Sequence, residues 1–133
     1  MADFEHIPEE VRTKWLQLAD EVCAELHLAG LPASRIAGSA MSVGAEIEVD
    51  TGDDEAGGVF VTWRPGVQLS EAAAESVKNG RFEESVVLHS GSVSREMCRA
   101  LLGILNSAGY VVEPSDDDMR PFAVRVVSPP RAQ

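Results

Sequence analysis

Ala45-Glu46-Ile47-Glu48-Val49-Asp50 alternates apolar and acidic side chains without a break, and Val59-Phe60-Val61-Thr62-Trp63-Arg64 comes after a polar stretch. A period of two marks a β-strand with one face in a core and the other in water. The first run would bury Ala45, Ile47 and Val49 and expose Glu46, Glu48 and Asp50. Residues 51–58 are rich in Asp and Gly, as turns are, and Pro65-Gly66 ends the second run. The two runs read as an antiparallel hairpin with a long acidic tip.

Helical periodicity flanks this hairpin on both sides. Upstream, Val11, Trp15, Leu18, Val22, Leu26 and Ala29 fall on one stripe at 100° per residue. Pro8 suits the first turn, Glu9 and Glu10 favour its dipole, and Gly30 with Pro32 stops it, so a helix is predicted over 8–29. Residues 31–42 read as a connector. Downstream, Ser70 is the expected cap of a short helix over 71–79, closed by Gly80. Residues 86–89, Val-Val-Leu-His, are predicted as a strand. Ser92 or Ser94 then starts a third helix, which stops at Gly109. Its stripe of Val93, Met97, Ala100, Leu101, Ile104 and Ala108 is widened by Cys98, Leu102 and Leu105. Such a width implies either deep burial or a flank that meets another subunit. Tyr110-Val111-Val112 and residues 122–127 form a second hairpin.

This order predicts an α+β two-layer sandwich: a mainly antiparallel sheet of four to five strands with about three helices on one face. Residues 1–128 are expected to make one domain and 129–133 a flexible C-terminal tail.

The 133 residues include 22 acidic and 11 basic side chains, a formal net charge of −11. That balance argues against binding phosphate backbones or anionic lipid, which need excess Lys and Arg. Aromatic residues are 5% of the chain, too few for a base-stacking surface. No nucleic acid and no membrane is therefore expected among the partners. The start, Met1-Ala-Asp-Phe-Glu-His, has no basic segment leading into an apolar one, and the two cysteines are too few for a disulfide framework. Both point to the cytoplasm. Nine of the eleven basic residues are Arg, which hints at a GC-rich bacterial genome.

The first half is the more acidic. Residues 1–66 carry 13 acids against 4 bases, and residues 67–133 carry 9 against 7. Two acidic clusters stand out: Asp50, Asp53, Asp54 and Glu55 around the first hairpin tip, and Asp116, Asp117 and Asp118 in the second. Clustered carboxylates can steer a protein with a basic surface. They can also ligate Ca²⁺, although the first cluster lacks the alternating carboxylates and distant Glu of a helix–loop–helix site. A helix start at Gly91-Ser92, with Arg95 and Arg99 on its flank, could bind an anion through free backbone N–H groups. Cys23 and His27, four apart, read as packing residues, and no metal or other cofactor is expected. Ala40-Met41-Ser42-Val43-Gly44 resembles a nucleophile elbow, but residues 45–50 alternate as a strand where the elbow needs a helix.

No set of residues assembles into a catalytic constellation, so the enzyme question stays open on the side of no. The expected function is a small acidic protein–protein interaction module of chaperone-, adaptor- or immunity-like kind, with the sheet face or acidic loops as contact surface and a homodimer as one arrangement. The alternative is a small-ligand or Ca²⁺-binding domain.

Overall fold

A computed structural model describes residues 8–35, 43–51, 57–116 and 120–130. Within them, three helices and five strands succeed one another as α1 (Glu9–Leu28), β1 (Ala33–Arg35), β2 (Gly44–Asp50), β3 (Gly58–Arg64), α2 (Val67–Lys78), α3 (Ser85–Ser107), β4 (Val111–Pro114) and β5 (Val124–Ser128). The strands form a single sheet of order β1-β2-β3-β5-β4. The fold is an α+β sandwich with a mixed sheet, parallel only between β1 and β2.

The hairpin of β2 and β3 has the expected register, with Ile47 opposite Val61 and Asp50 opposite Gly58. β5 pairs with β3, so the apolar rows continue: Ile47, Val61 and Val124 face one another, as do Val49, Val59, Val126 and Val112. Helix α1 lies over β1, β2 and β3, and α3 lies over β3, β4 and β5. Leu18, Ala19, Val22 and Leu26 of α1 and Cys98, Leu101 and Leu105 of α3 fill the space between helices and sheet. Trp15, on the same apolar stripe of α1, is half-buried at the margin of this core.

All three helices end in the same way. The N–H groups of Gly30, Gly80 and Gly109 bond to the carbonyls of His27, Val77 and Asn106, and those of the next residues bond to Leu26, Ser76 and Leu105. This is the two-bond Schellman ending, and the glycines take the positive φ it requires.

Three sequence expectations need correction. Residues 33–35 are not a plain connector but the edge strand β1, too short to show a period. Helix α2 begins at Val67, four residues before the predicted start. Ser70 lies inside it and its hydroxyl donates to the Pro65 carbonyl, so it is not the cap. Residues 86–89 are the first turn of α3 and not a strand. So short a run suits either state, and the helix extends through Gly91, where glycine costs only about 1 kcal/mol relative to alanine.

Gly44 admits β1 to the sheet. Its φ is +105°, and a Cβ there would lie 2.5 Å from the Pro32 carbonyl oxygen. The same carbonyl accepts a hydrogen bond from the Ala45 N–H at 2.9 Å. Gly44→Ala should lower stability by at least about 2 kcal/mol through clash and backbone strain, or roughly 6–10 °C in melting temperature. Gly91→Ala meets nothing within 4 Å in a helix interior and should gain about 0.5–1 kcal/mol. Thermal melts of the two variants check both signs; equal shifts would contradict the geometry.

Candidate functional site

The face of the sheet turned away from the helices carries a second, charged pattern. Glu113, Arg125, Phe60 and Glu48 are successive cross-strand partners. Arg64 reaches diagonally to Glu46 with two bonds, 2.7 Å and 3.2 Å. Arg120 reaches this face from the segment between β4 and β5. By register that segment's ends lie level with Val61, three residues along β3 from the level of Asp50. Yet Arg120 from that segment grips Glu48 through two nitrogens, at 3.3 Å and 3.1 Å, and Asp50 at 2.7 Å. Its guanidinium carbon sits 4.2 Å from the centre of the Phe60 ring, a cation–π contact. Phe60 is 2% exposed although it points away from the helices.

This overturns the expectation that Glu46, Glu48 and Asp50 face open water. Glu46 is buried against Arg64, and Asp50 is held within the chain by Arg120. Asp50 is thus paired within the chain. Hydrogen bonds to Glu48 and then Asp50 raise the Arg120 pKa above its already high ordinary value, and the bond to Glu46 does the same for Arg64. Asp116 is exposed beside a cleft of about 400 Å³ that it lines with Cys98, Pro114 and Phe122. Asp53, Asp54, Glu55, Asp117 and Asp118 lie outside the described residues.

The expected anion site is not formed. Ser92, Arg95 and Arg99 sit within α3, more than a turn past its start, so the backbone N–H groups they were to supply or flank are bonded inside the helix. Arg95 donates to the Ser92 hydroxyl, and Arg99 pairs with Glu96. His27 donates its ring Nε2–H to the Ala33 carbonyl at 2.8 Å. Among the described residues, no group of three or more His, Cys, Asp or Glu is placed to hold a metal ion. Likewise, no described helix is long and apolar enough to cross a membrane.

The thiols are not primed for nucleophilic chemistry. Cys98 directs its Sγ to the Ala123 carbonyl, and burial raises its pKa. Burial, and after it the charge of Asp20, raises that of Cys23 against an opposing effect of Arg35. Reactive cysteines need the reverse shift.

A different surface emerges from the helices. Cys98, Leu101 and Leu105 are the buried residues of α3, all in its second half. Leu102, Ile104 and Ala108 pack beside them. Of the two readings of the wide apolar stripe, burial within the chain accounts for Cys98, Leu101 and Leu105, while Leu102 and Ile104 are half-buried and Ala100 is exposed. The first half of α3 packs instead with α2, whose only buried residue is Ser76. The Ser76 hydroxyl donates to Glu84 at 2.8 Å, Arg81 pairs with Glu84 at 3.3 Å, and the Arg81 N–H bonds to the Ser76 carbonyl. This strapped turn leaves Phe82 61% exposed, with Leu88 at 59% in the first turn of α3 and Val77 at 42% in the last turn of α2. The exposure of Leu88 was concealed because 86–89 read as a strand and not as the first turn of a helix. Arg120 was hidden as well, since its partners lie 70 and 72 residues away.

Comparison with family models, with curated proteins and with solved structures gave no match.

The Arg120 cluster can be tested by substitution. Arg120→Met should destabilise the fold by about 1–3 kcal/mol, because it leaves two carboxylates side by side on a half-buried face. Arg120→Lys should recover less than half of that, lacking the two-pronged geometry. Urea denaturation of the three proteins is the check, and an Arg120→Met value within about 0.5 kcal/mol of the parent would remove Arg120 from its role. A second expected outcome concerns pH. Burial, with Glu21 and Glu25 adding to it, raises the Tyr110 pKa. The unfolded chain therefore releases this proton first, so stability is intact below the ordinary phenol range and declines as pH rises through it. Tyr110→Phe should flatten the alkaline limb of a melting-temperature profile; an unchanged limb would exclude Tyr110 as its source.

Proposed function

We propose that this chain is a non-enzymatic protein–protein interaction module that works in the cytoplasm and meets its partner through the α2–α3 pair. One observation carries the reading. Four of the nine large apolar side chains left exposed among the described residues, Val67, Val77, Phe82 and Leu88, belong to α2, α3 and their connection. Exposed apolar groups are a usual mark of a contact surface, since they bury area at little desolvation cost. The strapped turn adds to this. Ser76, Arg81 and Glu84 tie the end of α2 to the start of α3, and a connection already bonded has less order to gain on binding. The reading keeps the class expected from the sequence but moves the contact away from the sheet face, where Arg120, Arg64 and Arg125 already neutralise the strand carboxylates.

A photo-crosslinking side chain placed at Leu88 tests this in living cells. The expected result is a covalent adduct with a protein, absent when the same probe replaces Thr13 on the exposed side of α1. No adduct at Leu88, or equal labelling from both positions, would defeat the proposal.

A further inference from the structure

We infer that α2 and the first half of α3, residues 67–97, form a unit that opens and closes separately from the sandwich. Its consequence for binding rests on the interaction reading; the opening itself does not. Burial divides the chain here. No residue from 64 to 97 belongs to the hydrophobic core, and none is among the half-buried apolar side chains packed against it. The core resumes at Cys98 and continues through Leu101 and Leu105 of the same helix. Leu69 of α2 and Val86, Val87, Val93 and Met97 of α3 are half-buried at most. The one buried residue of the unit, Ser76, is polar.

Aliphatic burial therefore contributes little to holding the unit shut, and the helices add little by themselves. α2 is 12 residues long, and a helix of that length is marginal in water on its own. Neither α2 nor α3 has a capping side chain at its start or an acidic residue in its first turn. The strap is what remains: the Ser76 hydroxyl on Glu84 at 2.8 Å, Arg81 on Glu84 at 3.3 Å, and the Arg81 N–H on the Ser76 carbonyl at 2.8 Å. Opening the unit costs none of the contacts that Leu26, Leu101 and Leu105 make within the core. Segments with few buried apolar contacts open at a lower free energy than the whole molecule. Gly91 lies within α3, and glycine regains the most backbone freedom on leaving a helix. With the unit open, Val77, Phe82 and Leu88 no longer share one fixed surface, and a partner's apparent affinity falls with the closed fraction.

Hydrogen exchange read amide by amide on the full chain, across about 0–2 M urea, measures this. After correction for intrinsic rates, the amides of 73–78 and 89–94 are expected to exchange at least about a hundredfold faster than those of 101–105, with one shared urea slope smaller than that of the core. Glu84→Ala leaves the buried Ser76 hydroxyl without its acceptor and should speed exchange in both segments about tenfold. Gly91→Ala should slow both about two- to fivefold. Ile47→Val weakens the core, which the open unit leaves intact, so it should speed 101–105 about two- to tenfold and leave 73–78 and 89–94 unchanged. Equal protection in the three segments overturns the inference. So does an Ile47→Val effect that reaches α2, or a response to Glu84→Ala or Gly91→Ala in only one of the two segments. The two readings fail separately. A Leu88 adduct beside uniform protection leaves the contact surface and removes the opening unit; separate opening without an adduct leaves the unit and removes the contact surface.

Discussion

The contact of Leu26, Leu101 and Leu105 with the cross-strand row Ile47, Val61 and Val124 is the interaction on which the other elements depend. All six side chains are fully excluded from solvent. Replacing any one leucine by alanine would remove transfer energy and leave a cavity, together about 2–5 kcal/mol. That is a large share of the roughly 5–15 kcal/mol typical of a domain. With this row fixed, strand period does the rest. Every second residue of β2, β3 and β5 must face the other way, and there the chain collects Glu48, Phe60, Arg125 and Glu113.

The two faces of the sheet are thus held by different physics. On the helix side the force is non-directional burial of aliphatic surface. On the other side it is directional: guanidinium groups from β3, from β5 and from the segment before β5 meet carboxylates of β2 and β4 in defined geometry. Phe60 links the two regimes, buried as an apolar ring yet roofed by a cation. Phe122 follows close behind this roof in the chain. It is the only described residue other than glycine with positive φ, at 61°, and it lies two positions after Arg120. Backbone of this kind costs of order 1–3 kcal/mol.

Local chemistry made much of this legible. Period two located β2, the polar stretch before β3 and Pro65-Gly66 after it bounded that strand, period 3.6 located α1 and the second half of α3, and Gly30, Gly80 and Gly109 marked three helix ends. The hidden parts depended on contacts distant in sequence. Residues 33–35 become a strand only because Gly44 lets the Pro32 carbonyl reach Ala45. The start of α3 shows no capping side chain and has Glu84 in the cap position, so Ser92 and Ser94 were the louder signals. The pairing of Glu48 and Asp50 with Arg120 has no local trace. The acidic residues that composition brought forward therefore divide by environment, a distinction that charge counts do not carry.

The two borders of the sheet have a further implication. One is β1, three residues long, with Arg35 drawn to Asp20 of α1; the other is β4, four residues long and ending in Pro114, which has no N–H to offer. Brevity and proline are the means by which natural sheets refuse a stray strand. Fibre-like growth is thereby discouraged at both ends, and any assembly this molecule enters has to be built side chain to side chain instead of backbone to backbone.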